Sequence, residues 1–152
     1  MTTQISALST YPVTVNYDRS VEDGIAAGHY DWQNEEITSR KFPSSRTGTA
    51  DLEIILVKFD DTMDSKAALR ELDENGLRAA ELSELLAFGE KYPDVQREFQ
   101  VVALGSQMYN WSNFRITCLS TLPILDRDER SLHVYPFDSE WIASTLFAAV
   151  RK

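Results

Sequence analysis

The stretch "ADLEIILVKF" carries four consecutive apolar side chains, Ile54, Ile55, Leu56 and Val57. Successive side chains of a strand point to opposite faces, so a run without alternation needs apolar cover on both. A chain with such a strand is expected to bury it inside a sheet. A second run makes a similar demand close to the last residue. In "TLFAAVRK", Leu146, Phe147, Ala148, Ala149 and Val150 are followed by two cations, Arg151 and Lys152. Read as a strand, it directs Leu146, Ala148 and Val150 to one side and Phe147 and Ala149 to the other.

Between and around these runs the periodicity changes. "YPVTVNY" alternates Val13, Val15 and Tyr17, which predicts a short strand. Ser20 then caps a short helix, with Val21 and Ile25 on one face and Gly28 as its stop. "WQNEEITSRKFPSSRTGTA" reads as a polar connection. After the apolar strand, Asp64 or Ser65 caps a helix with Ala68, Leu69 and Leu72 inward and Gly76 at its end. "LRAAELSELLAFGEKYP" reads as a second helix, with Leu82, Leu85, Leu86 and Gly89 inward and Pro93 as its stop. Beyond Pro93 come short strand-like runs separated by turn residues: "EFQVVALGS", "NFRITCLS", "LPIL", "RSLHVYPF" and "TLFAAVRK". The expected class is α+β, with helices on a mostly antiparallel sheet.

Charge and composition narrow the function. A net charge of −9 with scattered Lys and Arg argues against nucleic acid or an anionic membrane as the main partner. The single cysteine, Cys118, allows neither an internal disulfide nor a cysteine-based zinc site, and its alternating context reads as core. The first residues have no basic start and no apolar core, and no run is long enough for a membrane span, so a cytoplasmic chain is expected. No metal or cofactor is expected. His29 and His133 stand apart from any ligand spacing. "DDTMD" lacks the glycine and the terminal Glu of a calcium loop, and no phosphate-binding glycine motif or GxSxG elbow occurs.

Two stretches combine aromatic with adaptable polar residues, the mixture that recognition surfaces favour. "MYNWSNFR" contributes Tyr109, Asn110, Trp111, Asn113 and Arg115. "LHVYPFDSEW" contributes His133, Tyr135, Asp138, Ser139 and Trp141. These ten are the candidate ligand-binding residues. Trp111, Phe137 and Trp141 have a competing role as core anchors at strand ends. Tyr109, Asn110, Asn113, His133 and Tyr135 fit an exposed role better.

The segment "SKAALRELDENGLRAAELSELLAFG" resembles the helix–GxRLPT–helix segment of C-type-lectin-like domains. The relevant relatives are formylglycine-generating-enzyme-like domains and the variable proteins of diversity-generating retroelements. Gly76, Leu77, Arg78 and Glu84 stand in the matching places, while Ala79 and Ala80 replace the usual Pro-Thr. "STLFAAVRK" resembles the closing strand of that fold, and also the ending of bacterial proteins that finish in an "RFLAVRK"-type strand.

The resemblance covers residues 50–152 and implies a C-type-lectin-like domain there, with residues 1–49 as an extension packed on it. It further implies that "LEIILVKF" pairs with "LFAAVRK". The departures matter for function. The paired active-site cysteines of the formylglycine enzymes are absent, as are the EPN, QPD and WND calcium motifs of sugar-binding lectins. What remains is a non-catalytic module that binds a protein or small ligand through its C-terminal loops. Two other readings stay open. One is an enzyme with an acid–base site drawn from Arg115, His133, Tyr135 or Asp138. The other is an acidic regulatory protein, of immunity or antitoxin type, that masks a basic partner.

Overall fold

The structure is a computed structural model. It describes residues 5–106, 118–121 and 129–152, with residues 6, 7 and 118–121 described by backbone alone. The elements run β1 (Ile5–Asn16), α1 (Val21–Gly28), β2 (Trp32–Gln33), β3 (Thr49–Phe59), β4 (Met63–Asp64), α2 (Ser65–Glu74), β5 (Leu77–Ala79), α3 (Leu82–Lys91), α4 (Pro93–Glu98), β6 (Val101–Ala103), β7 (Cys118–Thr121), β8 (Ser131–Tyr135), β9 (Glu140–Trp141) and β10 (Leu146–Arg151).

The main sheet has the order β1-β3-β10-β6-β7-β8-β2, and β5 also pairs with β10. The β10–β6 and β2–β8 pairs are parallel and the other pairs are antiparallel. The protein is therefore α+β with a mixed, largely antiparallel sheet. The two apolar runs are neighbours at its centre. Phe147 lies opposite Val57, Ala148 opposite Leu56 and Ala149 opposite Ile55.

Both faces of that central pair are covered, as the continuous apolar run requires. Ile54, Leu56, Ala148 and Val150 face a core with Leu82, Leu85, Leu86 and Phe88 of α3 and Val21 and Ile25 of α1. Ile55, Val57, Phe59, Phe147 and Ala149 face a second core with Ala68 and Leu72 of α2 and with Met63 and Trp141. The two cores lie on opposite sides of one sheet because side chains alternate along each strand.

Local chemistry explains the helix ends. The Ser20 hydroxyl accepts from the Asp23 N–H at 3.1 Å, and the Asp64 carboxylate accepts from the Ala67 N–H at 2.7 Å. Gly76 leaves α2 with φ +73°, a left-handed conformation that glycine adopts at little cost. Pro93 does more than end a helix. It also opens α4 at the first helical position, where its missing N–H costs nothing.

The N-terminal region departs from the short-strand expectation. β1 is twelve residues long and pairs with β3 along its length. Val13, Val15 and Tyr17 enter the same core as α3. The connection read as wholly polar contributes β2, whose Trp32 lies opposite Ser131 of β8.

Candidate functional site: an aromatic row that surfaces at one end of the sheet

β8 sorts its side chains by parity. Leu132 and Val134 join the core beneath α1 and α3. Tyr135 packs against the opposite core, and Ser131 and His133 share its face. From the interior outward, the ring centroids of Phe59 and Phe147 are 5.4 Å apart, and those of Phe147 and Trp141 6.5 Å. Trp141 and Tyr135 meet edge-to-face at 5.5 Å, and Tyr135 and His133 lie 6.0 Å apart. The row ends at Trp32, 4.8 Å from His133 and 49 % exposed. Six rings thus run from the buried core to the surface, at separations where aromatic pairs attract one another beyond simple burial.

The imidazole is held in place from a second direction. His133 Nε2 lies 2.8 Å from the Ser131 hydroxyl. Burial pushes the His133 pKa down, which favours the neutral ring at neutral pH. The exposed end of the row is therefore an uncharged aromatic surface of Trp32 and His133, their rings inclined at 39°, continued by Tyr135. It suits stacking against a planar or ring-shaped partner better than ion pairing.

His133 and Tyr135 are brought together at the row, half-buried. Asp138 is exposed and Ser139 half-buried in the turn that follows β8. Trp141 is 4 % exposed, and its indole N–H donates to the Ser65 hydroxyl at 3.0 Å. Of its two roles, core anchor fits: the indole forms the inner wall of the row. Tyr109, Asn110, Trp111, Asn113 and Arg115 lie outside the described residues. Sequence reasoning missed Trp32 and Ser131. Trp32 stood in a polar stretch, and nothing local marks it as the partner of a histidine 101 residues away.

Two further polar clusters are buried, and both are built around α3. At its start, Glu84 is fully buried and accepts from Arg78 at 2.9 and 2.6 Å, from the Tyr17 hydroxyl at 2.6 Å and from the Glu81 N–H at 2.7 Å. Burial alone would raise the Glu84 pKa; the Arg78 guanidinium, the Glu81 N–H and the Tyr17 hydroxyl outweigh it and hold the carboxyl below its usual range. Burial, then the Glu84 carboxylate, pushes the Tyr17 phenol up to about 12.

At the other end of α3, Arg130 is 3 % exposed. It donates to the Gly28 carbonyl, to the Gly89 carbonyl at 3.1 Å and to Gln96 Oε1 at 3.0 Å, and it lies 4.5 Å from the centre of the Tyr30 ring. A side chain at Gly89 would overlap the Tyr30 hydroxyl, so the close approach requires glycine there. Both clusters position elements. The Glu84 carboxylate is fully hydrogen-bonded, whereas at the other end of α3 the Tyr30 hydroxyl, Gln96 Nε2 and Arg130 Nε are buried without a hydrogen-bond partner among the described residues.

Among the described residues, no group of three or more His, Cys, Asp or Glu is placed to hold a metal ion, and no helix is long and apolar enough to cross a membrane. No family model, curated protein or solved structure matches the chain.

Proposed function

We propose that this protein is a non-catalytic binding module on a C-type-lectin-like scaffold, and that it takes a protein or small ligand on its C-terminal face. The observation that carries the reading is the exposed end of the aromatic row, Trp32 tilted against His133 with Tyr135 behind it. A preorganised aromatic surface loses little side-chain entropy on binding. The scaffold reading is supported by the β3–β10 pairing and by the order helix, Gly76, short strand with Arg78, then a helix carrying Glu84. Asp138 and Ser139 stand close in sequence to β8 and supply polar groups for orientation. Tyr109, Asn110, Trp111, Asn113 and Arg115 remain candidate ligand-binding residues in the same proposal, from their composition.

The test is a pull-down from a lysate of the source cells with the natural chain and with Trp32→Ala, His133→Ala and Tyr135→Ala combined. The expected result is loss of the captured partner with a melting temperature within a few degrees of the natural chain. An unchanged set of partners would overturn the site.

One observation favours a catalytic reading, namely the 2.8 Å contact of the Ser131 hydroxyl with His133, the geometry of a nucleophile and its base. Against it, Ser131 is 2 % exposed. No neighbouring carboxylate perturbs the imidazole, whose shift comes from burial. A buried hydroxyl cannot reach an acyl substrate, so the pair is read as a support for the ring. The third reading, an acidic partner of a basic protein, rests on the −9 charge alone and would show itself as salt-sensitive capture in the same pull-down.

A further inference from the structure

The segments that build the exposed end of the aromatic row are acidic. Residues 31–36 carry Asp31, Glu35 and Glu36, and residues 131–142 carry Asp138 and Glu140. Neither stretch contains a lysine or arginine, although the chain holds 15 of them. Two of these carboxylates are already engaged. Glu36 is bridged by Lys41, and one Asp31 oxygen accepts from the Arg130 backbone N–H at 2.8 Å. Glu35, Asp138 and Glu140 are exposed and form no ion pair with a described residue.

Trp32 is covered on one side only. His133 lies against its ring at 4.8 Å, with Tyr135 6.0 Å further back. Since 49 % of Trp32 is exposed, the opposite face of the indole meets solvent. The face of an aromatic ring is the negative side of its quadrupole, and Trp offers the strongest such face to a cation. The imidazole behind it is neutral at neutral pH and adds no repulsion.

An outward-facing indole among unpaired carboxylates selects by charge as well as by shape. An anion is repelled, and a neutral ring would use the indole but leave the carboxylates idle. An ammonium would use the carboxylates but is compact and strongly hydrated. A guanidinium uses both: it is planar and weakly hydrated, so it stacks, and its N–H fork pairs with carboxylates. A free guanidinium would be held weakly by one ring, whereas a protein that presents one brings further contacts, and arginine on tryptophan joins two side chains that often dominate interfaces. The −9 charge of the molecule steers a basic partner toward it.

Resting on the binding-module reading above, we propose that the partner is a protein that presents an arginine, whose guanidinium stacks on the outer face of Trp32 while Glu35, Asp138 and Glu140 supply the surrounding negative charge.

Three short glycine-rich peptides test this against the full chain: one carrying arginines, one with lysines in their place, and one with citrulline, which keeps the planar shape and loses the charge. Binding is followed by NMR at the Trp32 indole N–H, identified by its absence from Trp32→Phe. The arginine peptide should shift this signal and bind about two- to fivefold tighter than the lysine peptide, the size of an exposed cation–π contact. The citrulline peptide should bind more weakly still. Trp32→Ala should erase the preference for arginine over lysine, and Glu35→Gln with Asp138→Asn should weaken both cationic peptides alike. Equal binding of arginine and lysine by the natural chain would overturn the stacked guanidinium, and citrulline binding as tight as arginine would overturn the need for a cation. Silence of all three peptides, with the captured partner still lost in the triple-ring variant, would overturn the arginine and leave the aromatic surface as the site. Silence together with unchanged capture would remove both.

Discussion

The two ends of α3 are each held by a buried charge, and the signs are opposite. At the start stands the carboxylate of Glu84, 0 % exposed; at the end stands the guanidinium of Arg130, 3 % exposed. This is the polarity that a helix dipole favours. The means of satisfying each charge differ. Glu84 meets a full counter-charge, since Arg78 grips it with two nitrogens while Tyr17 and the Glu81 N–H fill its remaining positions. Arg130 meets no carboxylate at its guanidinium among the described residues. It takes the carbonyls of Gly28, the last residue of α1, and Gly89, in the last turn of α3, with the Tyr30 ring against its face. Each helix C-terminus carries roughly half a negative charge, so two of them offset one cation. A buried charge can be balanced by an ion or by aligned peptide groups, and this molecule does both within one helix.

Breaking the ion-paired end should have the larger effect. Glu84→Ala leaves the Arg78 guanidinium and the Tyr17 hydroxyl without their acceptor, and removing one partner of a buried pair costs about 3–5 kcal/mol. Urea unfolding at neutral pH would measure it. A loss below about 1 kcal/mol would place the pair with ordinary surface bridges and end the comparison.

Arg130→Met keeps the apolar stem but strips the Gly28 and Gly89 carbonyls and Gln96 Oε1 of their donor. At about 1–3 kcal/mol for each unsatisfied group, less the desolvation cost that the buried cation no longer exacts, the expected loss is about 2–4 kcal/mol. Arg130→Lys should recover less than half of it, because an ammonium lacks the planar fork that reaches both helix ends. Full recovery by lysine would mean that charge alone matters there, and the peptide-dipole account would fail.

The ends should also separate by pH. The Glu84 carboxyl titrates below its ordinary value of 4.5 in the folded protein. A depressed carboxyl stabilises the fold above its unfolded pKa, and the stability is lost as pH falls from that value through the folded one. Thermal melts from pH 6 downward should therefore fall more steeply for the natural chain than for Glu84→Gln, which has lost the titrating group. Arg130 variants should keep the natural slope, since the guanidinium stays charged throughout. Equal slopes in the natural chain and Glu84→Gln would show that other carboxyls govern the acid limb.

Much of the architecture was legible where short-range chemistry decides it. The Ser20 cap, the Asp64 cap and the Gly76 stop were readable because each acts within one helical turn. The parity of β10 was readable because alternation is a property of the strand itself. The length of β1 was not. "ISALST" is small and polar without a period, and it becomes strand because β3 offers it a ladder. The polar clusters were hidden for a similar reason. Arg130 reads as one more cation beside a turn, and its acceptors lie 41 and 102 residues away. The site was legible in part: His133 and Tyr135 stood out by composition, whereas Trp32 did not.

By itself, then, the sequence determined that Ile54 to Val57 and Leu146 to Val150 must be interior strands, because an unbroken apolar run cannot face water on either side. It also marked the Ser20 and Asp64 caps and the Gly76 stop, but neither the strand β5 at Leu77–Ala79, where a helix was expected, nor the helix α4 after Pro93. The tertiary structure decided which charges are buried and which ring meets which. Those outcomes depend on groups far apart in the chain, and their approach is set by how two cores pack against one sheet.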